Sequence, residues 1–216
     1  MSLLEAKNIA HSFDYPLFEN VNLELAPKES LAIVGVSGSG KSTLLHICST
    51  LLKPQNGEVK LFGNSIYHQK NRKLLQEIRR KQIGIVFQFH YLFKGFTALE
   101  NIEVASLLSQ EPIDQNLIRA FGIEKVMEKK VTELSGGEQQ RVSIARVLTK
   151  KPKILFADEP TGNLDQKTAH EVMHRVFEYI EIREAGLFLV THDMDLAMQC
   201  NAVYKLEEGA LKKVKG

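Results

Sequence analysis

Three short stretches of this chain combine residue types and spacings that suit phosphate chemistry. Gly35-Val36-Ser37-Gly38-Ser39-Gly40-Lys41-Ser42 satisfies G-x-x-x-x-G-K-[ST], with an apolar run before it and a helical pattern from Ser42 and Thr43 onward. Its glycines let backbone N–H groups converge on phosphate oxygens. Lys41 supplies a compact charge for the β- and γ-phosphates of a nucleotide, and Ser42 a hydroxyl for Mg²⁺. The second stretch, Ile154-Leu155-Phe156-Ala157-Asp158-Glu159, is an apolar run ending in two carboxylates. Asp158 is placed to hold Mg²⁺, and Glu159, pointing differently, to polarise an attacking water as general base. Strands often end in solvated acids, but the sharp Pro160-Thr161-Gly162-Asn163-Leu164-Asp165 turn that follows favours the functional reading. The third, Leu134-Ser135-Gly136-Gly137-Glu138-Gln139-Gln140-Arg141, reads as another anion-binding helix start, with backbone N–H groups of Ser135, Gly136 and Gly137 expected to be uncovered. It contains no lysine, so backbone and hydroxyl must do the binding, for this chain's own nucleotide or for a partner's.

Four apolar runs must position these residues: Leu31 to Val34, Ile83 to Phe87, Ile154 to Ala157 and Leu187 to Val190. Each is apolar throughout, as expected of strands buried on both faces of a parallel sheet. Helical patterns alternate with them at Ser42 to Leu52, Glu138 to Thr149 and Thr168 to Ile182. Strands alternating with helices predict a sheet covered on both sides. The opening runs differ: Val21 to Leu25 alternates apolar and polar, which suits a half-exposed antiparallel sheet with Leu3 to Ile9. Val203 to Leu206 and Leu211 to Val214, joined at Glu208-Gly209, predict a terminal hairpin. From about Gln88 to Arg141 the pattern is helical, at Ala98 to Leu108 and Gln115 to Phe121, and predicts an inserted helical subdomain. The charged stretch from Lys70 to Arg80 reads as a solvated helix or loop.

Composition bounds the function. At 216 residues the chain can bury a substantial core as one domain. A net charge of +2 gives no case for nucleic acid, and Lys212-Lys213-Val214-Lys215 is short enough to be a solvated tail. Cys48 and Cys200 have neither a disulfide framework nor zinc spacing, and Cys48, in an apolar pattern, reads as a buried inert thiol. No apolar run approaches the roughly 20 residues that span a bilayer, and the N-terminus lacks a secretory profile. A cytoplasmic location follows as the expectation, with any membrane role supplied by a partner.

The order of the Lys41 loop, Gln88, Leu134 to Arg141, Asp158-Glu159, Asn163-Leu164-Asp165 and His192 resembles the ATP-binding cassette (ABC) family over essentially the whole chain. The Leu-Ser-Gly-Gly-Glu-Gln-Gln-Arg run belongs to that family rather than to P-loop proteins at large. The resemblance implies an α/β P-loop NTPase fold: a mainly parallel core sheet flanked by helices, an N-terminal antiparallel β subdomain and the helical insertion. It implies ATP and Mg²⁺ as ligands. Gln88 then reaches Mg²⁺ and the attacking water, and His192 contacts the γ-phosphate and orients the catalytic carboxylate. Asp165 belongs to a loop that crosses to the opposite subunit. Phe13 stands where the family stacks an aromatic ring on adenine, with Tyr15 and a core role for Phe13 as competing readings. The other histidines, His46, His68 and His90 among them, have no motif behind them. In the family, Ser135 and Gly137 cap the nucleotide of a second copy, so that two chains sandwich two ATP molecules, and hydrolysis lets the pair open.

The absence of a long coiled-coil insertion and the presence of one cassette resemble the ATPase subunit of a transporter more than a repair, regulatory or translation ATPase. The stretch from Phe87 to Asn101, rich in Phe, Tyr and Leu, borders Gln88 and suits a helix-in-groove contact with a permease, or else the core of the helical subdomain. Its wording is similar to the lipoprotein-releasing branch, within a group that includes macrolide-export and cell-division cassettes. The region between Asn101 and Leu134 is shorter than that branch usually has. These resemblances imply a peripheral subunit on the cytoplasmic side of the inner membrane, partnered by a second copy and by transmembrane permease subunits.

Overall fold

The computed structural model describes residues 2–67, 72–162 and 164–216. His68, Asn163 and the first two residues of the Lys70 to Arg80 stretch lie outside them. In chain order the first half contains β1 (Leu4–Ser12), β2 (Pro16–Leu25), β3 (Ser30–Val34), α1 (Lys41–Cys48), β4 (Asn56–Leu61), β5 (Asn64–Ser65), α2 (Arg72–Glu77) and β6 (Ile83–Val86). A π-helical turn, Ile78–Gln82, joins α2 to β6. The second half contains α3 (Ala98–Ser109), α4 (Gln115–Ala120), α5 (Gly136–Thr149), β7 (Ile154–Asp158), α6 (Gln166–Arg183), β8 (Gly186–Val190), α7 (Met194–Ala197), β9 (Ala202–Glu207) and β10 (Ala210–Lys215).

Two sheets form. One is antiparallel, in the order β2-β1-β4-β5; the other runs β10-β9-β3-β8-β7-β6, parallel except for the terminal β9-β10 hairpin. The four apolar runs are adjacent strands of the second sheet, and alternate residues enter different cores, which explains why they show no polar face. Leu31 and Ile33, Ile154 and Phe156, Phe188 and Val190 pack into the core shared with α1 and the antiparallel sheet. Ala32 and Val34, Leu155 and Ala157, Leu187 and Leu189 pack into the core shared with α3, α5 and α6. The layers are therefore antiparallel sheet, α1, parallel sheet, helices.

Several expected boundaries move. Helix α1 stops at Cys48 rather than Leu52, because Thr50 takes a left-handed conformation (φ 77°). Helix α5 begins at Gly136, two residues before the expected start at Glu138. Strands β4 and β5, absent from the expectation, extend the first sheet, β4 by pairing with β1 and β5 by pairing with β4; the weak Val59/Leu61 alternation is the only local trace of β4. The 88–141 region contains no named strand, only an isolated bridge between Thr97 and Lys130. Helix α5 runs past Arg141 to Thr149, and its buried apolar residues share one core with Ala98 and Ile102 of α3 and Ile118 of α4. Gly84 of β6 lies so close to α5 that a Cβ there would meet Val147 Cγ1 at 2.5 Å.

Both cysteines are buried, and burial pushes the Cys48 thiol up to about 12, as an inert thiol requires. No helix of the described residues is long and apolar enough to cross a membrane.

Candidate nucleotide site

Register brings the candidate residues together. Ile33 pairs with Val190, Val190 with Asp158, and Ala157 with Val86, so β3, β8, β7 and β6 end at one level. The loops leaving those ends carry the Lys41 loop, His192, Glu159 and Gln88. Open parallel sheets bind ligands at this carboxyl edge. A cleft of about 440 Å³ opens there, lined by Gly35, Ser37, Gly38, Gly40, Lys41, Ser42 and Thr43 on one side. Gln88, Glu159 and His192 line the other, and Phe13 and Tyr15 stand at its mouth.

The loop geometry follows from its glycines. A Cβ on Gly35 would sit 2.5 Å from the Leu206 carbonyl oxygen, and Gly40 enters α1 with φ 99°. Lys41 is buried, and its Nζ donates to the carbonyls of Gly35 and Val36, both at 2.9 Å. The ammonium is thus held over the loop by its own backbone. Ser42 Oγ donates to Asp158 Oδ1 at 3.0 Å, across 116 residues of sequence. A hydroxyl and a carboxylate meeting at one point make the all-oxygen set that a hard cation such as Mg²⁺ takes, with phosphate and water completing the shell. Among the described residues no group of three His, Cys, Asp or Glu side chains is placed to hold a metal ion.

Glu159 is the strained member. Its φ is 46°, in the left-handed region that a glutamate seldom adopts. Its N–H donates to the Val190 carbonyl, which holds the residue at the sheet edge. Its Oε2 lies 2.9 Å from His192 Nδ1 and 3.4 Å from Thr191 Oγ1. An ionised carboxylate only accepts, so Nδ1 carries the proton in this pair. Thr191, buried beneath them, also accepts the Asp193 N–H. Thr191 had no sequence signal beyond adjacency to His192.

Phe13 and Tyr15 are each 59% exposed, which removes the core reading for Phe13. Phe13 is supported edge-on by the His11 ring at 4.9 Å.

Ser135, Gly136, Gly137 and Asp165 do not line the cleft. The Ser135 N–H is not uncovered as expected: it donates to Glu138 Oε2 at 2.8 Å, and Ser135 Oγ accepts from the Glu138 N–H at 3.3 Å. This capping box covers two donors of the helix start, the N–H groups of Ser135 and Glu138. The Ser135 N–H and hydroxyl also hold the Glu138 carboxyl below its ordinary range. Asp165 caps α6 by accepting the Thr168 N–H, and the Thr168 groups lower its pKa.

The Phe87 to Asn101 stretch splits in two. Leu92 and Ala98 are buried, while Phe89, Tyr91, Phe93 and Phe96 are exposed. Asn101, fully buried, shapes this turn by bonding Phe93 N, Phe93 O and Thr97 O. Beside it lies a largely apolar groove of about 510 Å³ lined by Leu51, Ile85, Phe93, Val104 and Leu108, with Arg79, Arg80, Arg146 and Lys150 also along it. Clustered exposed aromatics beside an apolar groove mark an interaction surface. A wholly core role for the stretch is therefore excluded.

Residues 18–162 match the model of the ABC transporter family. The chain is 43% identical over 201 residues to the lipoprotein-releasing system ATP-binding protein LolD of Rickettsia bellii, covering 90% of this chain and 88% of that one. It is 39% identical over 221 residues to LolD of Pseudomonas fluorescens, covering 97% of both. Among solved structures it superposes with TM-score 0.88 and 32% identity on a dimeric ATP-binding cassette in a post-hydrolysis state bound to ADP and Pi, over 99% of both chains. A cbiO1 subunit from Clostridium perfringens superposes with TM-score 0.84 and 29% identity, over 97% of this chain and 86% of that one.

Proposed function

This chain belongs to the ABC transporter family and is an ATPase, and from that premise we propose that it drives a lipoprotein-releasing transporter as its ATP-hydrolysing subunit. The observation that carries the reading is the division of the site. Gln88, Glu159 and His192 line the cleft around the Lys41 loop, while the Ser135 helix start lies off it. Half of a nucleotide shell is therefore offered to another molecule. A second copy, docked head to tail, completes it; that a similar cassette is dimeric supports the pairing of two copies.

In this reading the chain is a single ATPase domain, with residues 88 to about 141 as its helical subdomain. Phe13 or Tyr15 covers the adenine, and the backbone of residues 35–43 encloses the phosphates. Lys41 transfers its hydrogen bonds from the Gly35 and Val36 carbonyls to phosphate oxygens. Ser42, Asp158 and Gln88 hold Mg²⁺. When bound, the cation would supply the positive charge that offsets what develops on the phosphate. Glu159, aimed by His192, takes the proton of the attacking water. Ser135, Gly136 and Gly137 close over the second copy's γ-phosphate, and Asp165 lies in the loop between the copies.

The exposed Phe89, Tyr91 and Phe93 and the neighbouring groove receive a cytoplasmic helix of the permease, next to Gln88. The subunit is thereby peripheral, on the cytoplasmic side of the inner membrane. The test is isolation of the tagged chain from its own cells. Recovery of a multi-span membrane protein whose reconstituted complex releases lipoprotein from vesicles on ATP is expected. Recovery of active ATPase with no membrane partner would instead identify a soluble cassette ATPase.

A further inference from the structure

We propose that Gln140 is a positioning residue that ties nucleotide capture at Ser135 to the setting of Glu159 in the same chain. The inference rests on the ATP-bridged dimer above. Gln140 lies on α5, five residues after Ser135, and is 1% exposed. Its Nε2 donates to the Pro160 carbonyl at 2.5 Å, and Pro160 directly follows the strained Glu159. Its Oε1 is buried with no partner among the described residues.

A desolvated amide satisfied at one end only is a poor core residue compared with methionine or leucine. What it supplies is a directional bond to one backbone carbonyl. That bond reaches the turn whose geometry holds Glu159 at φ 46°. A second contact runs in parallel: a Cβ on Gly137 would sit 3.3 Å from Leu164 Cδ2, in the loop after Pro160. Further along the helix, Ser143 Oγ bonds the His90 carbonyl at 3.0 Å, and Arg146 Nη1 bonds that of Tyr91 at 2.9 Å. Both carbonyls lie just beyond Gln88. One rigid helix thus starts at the residue that caps the second copy's nucleotide and is bonded to both loops that serve its own. A shift of the helix start on γ-phosphate capture is carried to Pro160 through Gln140.

The test uses heterodimers of full chains in which one chain carries Glu159→Gln, leaving one active site. Gln140→Met is placed either on the chain with the intact Glu159 or on the Glu159→Gln chain, whose Ser135 caps the active site. Both proteins contain the same substitutions, so a general folding defect affects them alike. Single-turnover hydrolysis is expected to fall by on the order of tenfold or more in the first arrangement, as misplacement of a reacting group does. It stays within about twofold of the control in the second, with ATP affinity and dimer formation alike in both. Equal losses, a larger loss in the second, or no loss in either would overturn the proposal. If the methionine chain fails to fold, Gln140→Asn, which withdraws the amide by one methylene, gives the same comparison. Failure of the unsubstituted heterodimer to form on ATP would refute the dimer reading itself, a separate outcome.

Discussion

The imidazole of His192 donates from Nδ1 to Glu159 Oε2 across 2.9 Å, joining two residues 33 apart in sequence at the ends of neighbouring strands. The carboxylate is largely shielded and the imidazole largely exposed, with side-chain exposures of 15% and 75%. The histidine therefore faces the cleft while it fixes the direction of the carboxylate behind it. Glu159 is held from below by Thr191 and through its backbone by Val190.

Glu159→Gln keeps the shape of the side chain and removes its basicity. ATP binding is expected to persist, turnover to fall by at least about 100-fold, as loss of a general base does, and a dimer to accumulate on Mg-ATP. Light scattering checks this; a monomer under those conditions would sink the sandwich assignment.

Lys41→Ala removes the ammonium that spans Gly35 and Val36. Nucleotide affinity should drop by about tenfold or more, the loss of roughly one charge-assisted hydrogen bond. Titration calorimetry with ATP measures it, and unchanged affinity would undo the role given to the lysine.

Ser135→Arg places a long cation at the start of α5, off the chain's own cleft. Binding of ATP to the single chain should stay within about twofold, while ATP-driven dimerisation and turnover are lost. The substitution also removes the cap, at about 1 kcal/mol of stability. Equal loss of binding and dimerisation would mean that Ser135 serves its own nucleotide.

Lys150, half-buried just after α5, donates to the Arg79 and Ile83 carbonyls, and desolvation, with the Arg146 charge nearby, lowers its pKa from 10.5 to about 8. The folded chain releases this proton before the unfolded chain does. Below pH 8 both states are protonated and the burial penalty is fully present; between about 8 and 10.5 the unfolded state binds more protons, so this residue's contribution to stability rises with pH. Urea midpoints at pH 7.5 and 10 should show that rise in the parent chain and a flatter response in Lys150→Met. Parallel responses would contradict it.

Gly84→Val forces atoms into the contact between β6 and α5, where a Cβ meets Val147 at 2.5 Å. Overpacking of this kind costs about 1–3 kcal/mol. Thermal unfolding should register the loss without any direct change in the cleft, and an unchanged melting temperature would show that α5 can retreat.

The local sequence determined every element whose signal is local. The phosphate loop is legible because glycine positions, a lysine and a hydroxyl follow a fixed spacing, and the four core strands because burial on both faces leaves them apolar throughout. The Ser-x-x-Glu spacing at 135–138 likewise encodes the capping box that covers the Ser135 N–H. Strand β4 was not legible, since its apolar residues are few and its pairing partner, β1, lies some fifty positions away. Only the tertiary structure decided which residues share the cleft: strand register sets Lys41, Gln88, Glu159 and His192 at one sheet edge and leaves the Ser135 helix start outside it. The bond from Gln140 to Pro160 belongs to the same class, because a buried amide finds its partner through packing and not through spacing.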